Sequence, residues 1–533
     1  MASEDVQDIL ERARELSVNL WVENGQLRFR SRFGTMTDDL RARIMTHRSA
    51  LVAAWPWTQS TMEELNTTPI FYEDKGLNAF PLLVHQEPIW RVIKSSPTGL
   101  MEGFSNLTHL VSRITSSLDT QSMRLAIGKT VVRYPVLAAV IRETPLGPTV
   151  ILGDPDSLPT FEQYDVSTEP REHRENRAKD IATKTICRRF NLQSGPLFRM
   201  FSIKLDKSDF VFGFVVHHLI CDGVSVGIIA RELARNYELL RRNMVMPMVR
   251  PGLSYGDYLR GIKAWLNSQS GYVSRDYWCR LLDGAPPTTL SSRRGDALEE
   301  DKNAVIQRFQ IARQESDSLR IFAASQSTTL FIVLLAAKIL AHSIISRSND
   351  ITIGIIIACR SNPRLINVVG WLVNRVHVRV MINQKEPLID FIRNIGHQFN
   401  EGRKHQYYPF ELVESLLKNT SSYFIHPIFN FMASYNTKER NINFPIDFPT
   451  GRWVNYSHVC QVVSSNAGIS GFIRYSPSSL GEEKIRAFLD AISVVLNTFL
   501  EGPNSSLESV TKIYEEANDH PQGNRVKNLV TIG

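Results

Sequence analysis

Residues 210–216 form an unbroken apolar run, Phe210-Val211-Phe212-Gly213-Phe214-Val215-Val216. Such a run predicts a strand buried in a core. After it, apolar side chains recur at Val226, Ile229, Leu233, Tyr237 and Leu240, the three-or-four spacing of one helix face. Between the two lie His217-His218-Leu219-Ile220-Cys221-Asp222-Gly223, at the kind of strand-to-helix turn where a rigid scaffold holds chemical groups in place. The same pattern predicts a core helix over about 329–345 and a strand over 351–357. At the N-terminus it predicts a helix over 5–16 and alternating strands over 18–22 and 26–30. Asn24-Gly25 lies between those strands, a strong hairpin signal. A helix over about 38–54 follows, with Thr37 as a candidate N-cap.

The residue types at the turn suit proton transfer. An imidazole titrates near neutrality and can take a proton from an attacking nucleophile. A buried aspartate needs a partner, so Asp222 is expected to hold the turn through an ion pair or hydrogen bonds. Gly223 permits close backbone approach or an unusual dihedral. The bland alternative is a histidine pair that closes a strand by bonding to loop carbonyls. Cys221 reads as packing rather than as a nucleophile.

Composition narrows the picture only a little. With 533 residues, 43% hydrophobic and 22% charged, the chain reads as globular and long enough for several domains or one large two-lobed unit. The longest apolar stretch, residues 330–337, stops at Lys338 and is too short to span a bilayer. No N-terminal secretion pattern appears. Five scattered cysteines make no CxxC, which predicts a reducing cytoplasm and no structural metal. A charge of +7 in so long a chain allows acidic partners but does not argue for nucleic acid.

His217-His218 and Asp222-Gly223 after such a strand resemble the HHxxxDG motif of condensation domains of nonribosomal peptide synthetases, relatives of chloramphenicol acetyltransferase. Further stretches match in order: Phe80-Pro81-Leu82, Gln86 and Trp90, then residues 190–199, Gly370-Trp371-Leu372-Val373-Asn374, residues 408–413 and residues 426–430. The resemblance implies an α/β fold of two chloramphenicol-acetyltransferase-like sandwich lobes in a V-shaped pseudo-dimer. It implies His218 as the catalytic residue, with His217 and Asp222 shaping the site. It also implies that Arg360 pairs with Asp222 across the lobes. Gly223 amides at the helix start could steady an oxyanion, and Ser225 could assist or cap. One departure stands out: Tyr134 and Ala139 stand near the places of the family's usual histidine and second arginine, which unsettles any donor specificity inferred from it.

Residues 1–56 are similar to the β-hairpin docking domains of synthetase subunits, an α-β-β-α unit whose exposed strand captures a linear motif at the C-terminus of an upstream carrier protein. Alternation sets Arg28, Arg30 and Arg32 on one face, suited to an acidic peptide. The expected organisation is this docking domain, a linker over 57–76, an N-terminal lobe over 77–247, a connecting segment over 248–303, a C-terminal lobe over 304–508 and a flexible tail over 509–533.

No adenylation motif or P-loop appears within the chain, and Asp156-Ser157-Leu158 only imitates a carrier attachment sequence. The DFGWG of plant acyltransferases, the paired aspartates of heterocyclising domains and the second acid of epimerising domains are also missing. These features predict a free-standing, monomeric acyltransferase that needs no membrane, nucleic acid, metal or bound cofactor. The phosphopantetheine thioester would come from a partner carrier, and the acceptor would be a small molecule, amide- or ester-forming, in the manner of enacyloxin-type chain release. Condensation between two carrier-bound substrates and a non-catalytic recruitment platform are the alternatives.

Overall fold

The computed structural model describes residues 6, 9, 12–13, 18–23, 26–30, 37–53, 79–95, 107–145, 147–153, 159–244, 252–290, 304–417, 426–433, 442–443, 457–477, 480–519 and 529–532. The Asn24-Gly25 turn, Arg32, the expected linker and the carrier-like residues 156–158 lie outside them.

In the N-terminal unit, residues 6, 9, 12 and 13 are helical, and strands β1 (Asn19–Glu23) and β2 (Gln26–Arg30) pair antiparallel. Backbone register pairs Leu20 with Phe29, Val22 with Leu27, Asn19 with Arg30 and Trp21 with Arg28. Val6, Ile9, Ala13, Val18, Leu40, Ile44 and Leu51 make a small core of their own. Thr37 caps the next helix by accepting from Leu40 N at 3.2 Å. That helix is not continuous to residue 54: it is two helices, Asp38–Thr46 and Arg48–Ala53, with His47 closing the first.

The rest of the chain supplies β3 (Ala79–Pro81), β4 (Leu107–Ile114), β5 (Val140–Thr144), β6 (Gly147–Ile151), β7 (Phe161–Asp165), β8 (Phe198–Asp206), β9 (Asp209–His217), β10 (Val305–Ile311), β11 (Asp350–Ile357), β12 (Asn374–Met381), β13 (Ile428–Ala433), β14 (Ile442–Asn443), β15 (His458–Ser465), β16 (Gly468–Tyr475) and β17 (Thr531–Ile532). The first lobe is built on the sheet β14-β4-β9-β8-β7, with a small β3-β6-β5 sheet beside it. The second is built on β12-β11-β13-β15-β16-β10-β17. Helices pack on each sheet, and one continuous apolar core includes residues of both lobes. The lobes also share a strand, because β14 comes from the second half of the chain and pairs with β4 of the first, Ile442 opposite Arg113.

The run at 210–216 is β9, central between β4 and β8 and buried from Val211 to His217. Its lack of alternation follows from that place, since both of its faces meet other elements.

One expectation is corrected: the described part of the expected tail, residues 509–519 and 529–532, is not loose. A helix, Leu507–Asp519, buries Leu507 and Val510, Leu529 and Val530 are buried, and β17 pairs with β10. Apolar residues at Leu507, Val510, Ile513 and Tyr514 keep helical spacing within a polar composition. Lys338, where the apolar run stops in sequence, lies inside the expected core helix. The helix Leu330–Ser346 is buried from Phe331 to Ser343, and Lys338 is 1% exposed.

Lys338 Nζ lies 2.9 Å from His458 Nε2, and the His458 ring stacks on His342 with centroids 5.0 Å apart. Burial lowers the Lys338 pKa to about 8 from 10.5. The unfolded chain therefore binds the extra proton between those values, so this group makes stability rise as pH climbs from 8 to 10.5. Lys338→Met is expected to stabilise the fold at pH 7 by about 1–3 kcal/mol and to remove that part of the rise. Urea denaturation of both proteins at pH 7 and pH 10 checks it; parallel pH dependences would contradict it. Among the described residues no single helix is long and apolar enough to cross a membrane.

Candidate active site

β9 ends at His217, a single 3-10 turn spans His218–Ile220, and Asp222 caps the helix Gly223–Arg241. The cap is strong because one carboxylate serves two jobs. Asp222 Oδ1 accepts from the Ser225 amide and hydroxyl, each at 2.8 Å. The same carboxylate receives Arg360 in bidentate fashion, Nη1 to Oδ2 at 2.8 Å and Nη2 to Oδ1 at 3.0 Å, and Leu372 N donates to Oδ2 at 2.9 Å. Arg360 follows the core strand β11 and Asp222 follows β9, so the pair ties the two lobes together. The Asp222 side chain is fully buried and that of Arg360 is 6% exposed. Burial alone would raise the Asp222 pKa; the Arg360 charge and the donated hydrogen bonds overcome it and hold the carboxyl below its usual value. Cys359, next to Arg360, sits at φ +48°, a left-handed backbone that non-glycine residues rarely adopt and that tertiary packing has to enforce.

While His217 is buried, His218 is the half-buried imidazole of this turn. Its ring lies against Trp371, centroids 4.5 Å apart. Protein atoms crowd it, yet part of its surface stays accessible. Nδ1 is buried without a hydrogen-bond partner of standard geometry, and among the described residues no hydrogen bond engages Nε2. Burial lowers the His218 pKa below 6.5, partly offset by the backbone and by the Asp222 charge. The imidazole is therefore neutral at pH 7 and free to accept a proton. His217 faces the other way. It is 3% exposed, its Nδ1 accepts from Leu219 N at 3.2 Å, and burial together with His218 brings its pKa to about 3. Its work is to close the strand. The Cys221 thiol is buried, which pushes its pKa up and makes it a poor nucleophile.

Gly223 and Ser225 differ from expectation. Gly223 has no positive φ, and a Cβ there would meet nothing within 4 Å. Its value is exposure: the first-turn amides of Gly223 and Val224 precede the first helical hydrogen bond, Val226 N to Asp222 O, and so have no intrahelical acceptor. Ser225 is fully buried. Its hydroxyl is engaged by Asp222, Gly370 and Arg360, so it cannot reach a reacting group, and the cap is Asp222 instead.

The walls come from segments far apart in sequence. Gln86 is fully buried; its Nε2 donates to Leu219 O at 2.6 Å and to the Tyr255 hydroxyl at 3.0 Å. Gly370 lies under the Tyr255 ring so closely that a Cβ would come within 2.1 Å of it. Asn374 donates to the carbonyls of Gln406 and Tyr408 at 2.8 and 2.7 Å, fixing the segment that leads into the helix Phe410–Leu417. Trp371 as the lid of the histidine was not legible from its motif, and His85, which touches Trp371 at 5.4 Å, was missed. The available signal was a histidine directly before Gln86.

Among the described residues no group of three or more histidine, cysteine or acidic side chains could hold a metal. All five cysteines are free.

The family profile described as Condensation domain matches residues 79–520, and that of the TubC N-terminal docking domain matches residues 6–54. Malpibaldin synthetase of Mortierella alpina is 21% identical over 90% of this chain, which spans 9% of that protein's length. SgcC5 of Streptomyces globisporus shares the fold with a TM-score of 0.67 and 19% identity, covering 80% of this chain and all of that one. A condensation domain described as mediating chain release from the enacyloxin polyketide synthase superposes with a TM-score of 0.65 and 19% identity, covering 94% and 97% of the two chains.

Proposed function

From the premise that this chain belongs to the condensation-domain family and carries a TubC-type docking domain, we propose that it transfers an acyl chain in trans from a carrier protein's phosphopantetheine thioester to a free amine or hydroxyl. The observation that carries this reading is a half-buried, neutral His218 whose Nε2 is free of hydrogen bonds among the described residues, fixed where the Asp222–Arg360 pair joins the lobes. The acceptor's nitrogen or oxygen attacks the thioester carbon, and Nε2 takes its proton as the new bond forms. Negative charge gathers on the carbonyl oxygen, where the exposed amides of Gly223 and Val224 and the helix dipole favour it. The C–S bond then breaks, and the proton held by His218 passes to the departing thiolate. His217, Asp222 and Arg360 act by holding the turn.

Coverage of nearly the whole chain by the enacyloxin chain-release domain supports release of an untethered product over joining of two carrier-bound substrates. The free cysteines agree with a reducing cytoplasm, and two lobes within one chain agree with a monomer. The N-terminal hairpin selects the carrier by adding the acidic C-terminal motif of that partner to its edge, with Arg28, Arg30 and Arg32 supplying charge.

Incubation of the protein with an acyl-loaded carrier and a panel of free amines and alcohols, read by mass spectrometry, tests this reading. Acceptor-dependent, carrier-free amide or ester supports it; product that stays on a second carrier contradicts release. The double variant Arg28→Glu, Arg30→Glu is expected to raise KM for the carrier about tenfold with kcat unchanged, an effect that shrinks at high salt. An unchanged KM would remove the arginines from docking.

A further inference from the structure

His85 lies in the turn ahead of the helix Glu87–Ser95, beside the fully buried Gln86 that pins this turn to Leu219 and Tyr255. It is 8% exposed, and neither ring nitrogen makes a hydrogen bond of standard geometry, although the Trp371 backbone makes a looser one with it. Its ring stands edge-on to Trp371 at 5.4 Å and 61°, and Trp371 in turn lies on His218 at 4.5 Å. Three rings from three distant segments thus stand in series, with Trp371 in the middle.

The remaining charges that His85 feels are Glu411 on the helix Phe410–Leu417, Arg375 on β12 and His218 itself. Glu411 and Arg375 are paired with each other at 2.8 Å, so the surroundings of His85 are close to neutral overall. Burial lowers its pKa below 6.5, which keeps the ring uncharged. A buried histidine whose one hydrogen-bonding contact is a loose one to the Trp371 backbone, clamped by its neighbour against the ring that covers the base, calls for an explanation.

We propose that His85 is a positioning residue: as an uncharged aromatic wedge it seats Trp371 against His218, which fixes the imidazole and keeps water off its face. The inference rests on the assignment of His218 as the base but is testable apart from it. An aromatic edge at this position is what matters, because edge-to-face contact holds a ring in orientation as well as in volume. Loss of the wedge lets Trp371 move and water return, so that the His218 imidazolium is better solvated and its pKa rises toward 6.5.

The test uses the full chain and three variants, His85→Ala, His85→Leu and His85→Phe. The Cε1 signal of His218, assigned with His218→Ala, is titrated by NMR in 13C-histidine-labelled protein without any substrate. Turnover with acyl-loaded carrier is measured in parallel. The expected result is that His85→Leu and His85→Ala raise the His218 midpoint by at least half a pH unit and lower kcat at least tenfold, with KM for the carrier within about twofold. His85→Phe keeps both near wild type. Leucine behaving as wild type would reduce the role to filled volume, phenylalanine failing as badly as alanine would show that the nitrogens act, and an unmoved midpoint would remove the wedge; each overturns the proposal. Absence of turnover in the wild type would sink the functional reading, while the NMR midpoints would still decide this one.

Discussion

Asp222→Ala is expected to destabilise the protein by about 3–5 kcal/mol and to abolish transfer. The variant leaves the Arg360 guanidinium buried without its counter-charge, held only by the Ala358 and Val368 carbonyls and the Ser225 hydroxyl, and removing one member of a buried pair costs far more than the pair itself contributes. It also strips the cap from the helix Gly223–Arg241 and the acceptor from Leu372 N, so the loop that carries Trp371 loses its anchor. Asp222→Asn separates charge from shape: it can still accept from the Ser225 amide, yet it leaves Arg360 uncompensated and should recover only a minor part of the loss. Urea denaturation of the two variants measures both values. A fall below about 1 kcal/mol in Asp222→Ala, the range of an exposed pair, would mean that the Asp222–Arg360 link does not hold the lobes.

His218→Ala is expected to behave in the opposite way, with stability retained and chemistry lost. The ring makes no hydrogen bond through Nε2, so little structure depends on it. General-base assistance contributes about 10²–10⁴-fold, and the loss should approach the upper figure with a hydroxyl acceptor, which releases its proton less readily than an amine attacks. The pH dependence has a definite sign. With a pKa held below 6.5 by burial, His218 stays unprotonated down to a lower pH than a free imidazole, so the acid limb of kcat/KM is expected below pH 6.5. An acid limb well above 6.5 would place the titrating group elsewhere.

The site's centre was legible because its chemistry is local. A buried strand, two histidines, an aspartate and a glycine occupy consecutive positions, and their order carries the family resemblance. The partner of Asp222 could be named because the family resemblance pairs the motif aspartate with an arginine just past a core strand, where Arg360 stands. What stayed hidden belongs to no single period. Trp371 covers His218 only because two segments some 150 residues apart meet, and Ser225 looked available until Gly370 and Arg360 closed on it. The left-handed backbone at Cys359 has no sequence mark, since cysteine rarely adopts it. In the C-terminal region composition misled: the helix Leu507–Asp519 keeps its apolar spacing, but polar neighbours dilute it. Lys338 fell within the expected core helix, but its partners were not legible: His458 and His342 receive it inside the core.

The docking unit reads well for a physical reason. A two-stranded hairpin with its own small core (Val6, Ile9, Leu40, Leu51) depends on alternation and a turn, both local. The shared strand β14, which joins the first lobe's sheet from the second half of the chain, depends on neither, and no sequence period announced it.

The central claim is that one imidazole removes the acceptor's proton. The most direct measurement is the single-turnover rate of acyl transfer from a thioester-loaded carrier to a saturating hydroxyl or amine acceptor, wild type beside His218→Ala, at pH 7. The account predicts a rate at least 100-fold lower in the variant, with carrier binding and thermal stability unchanged; equal rates in the two proteins would contradict it.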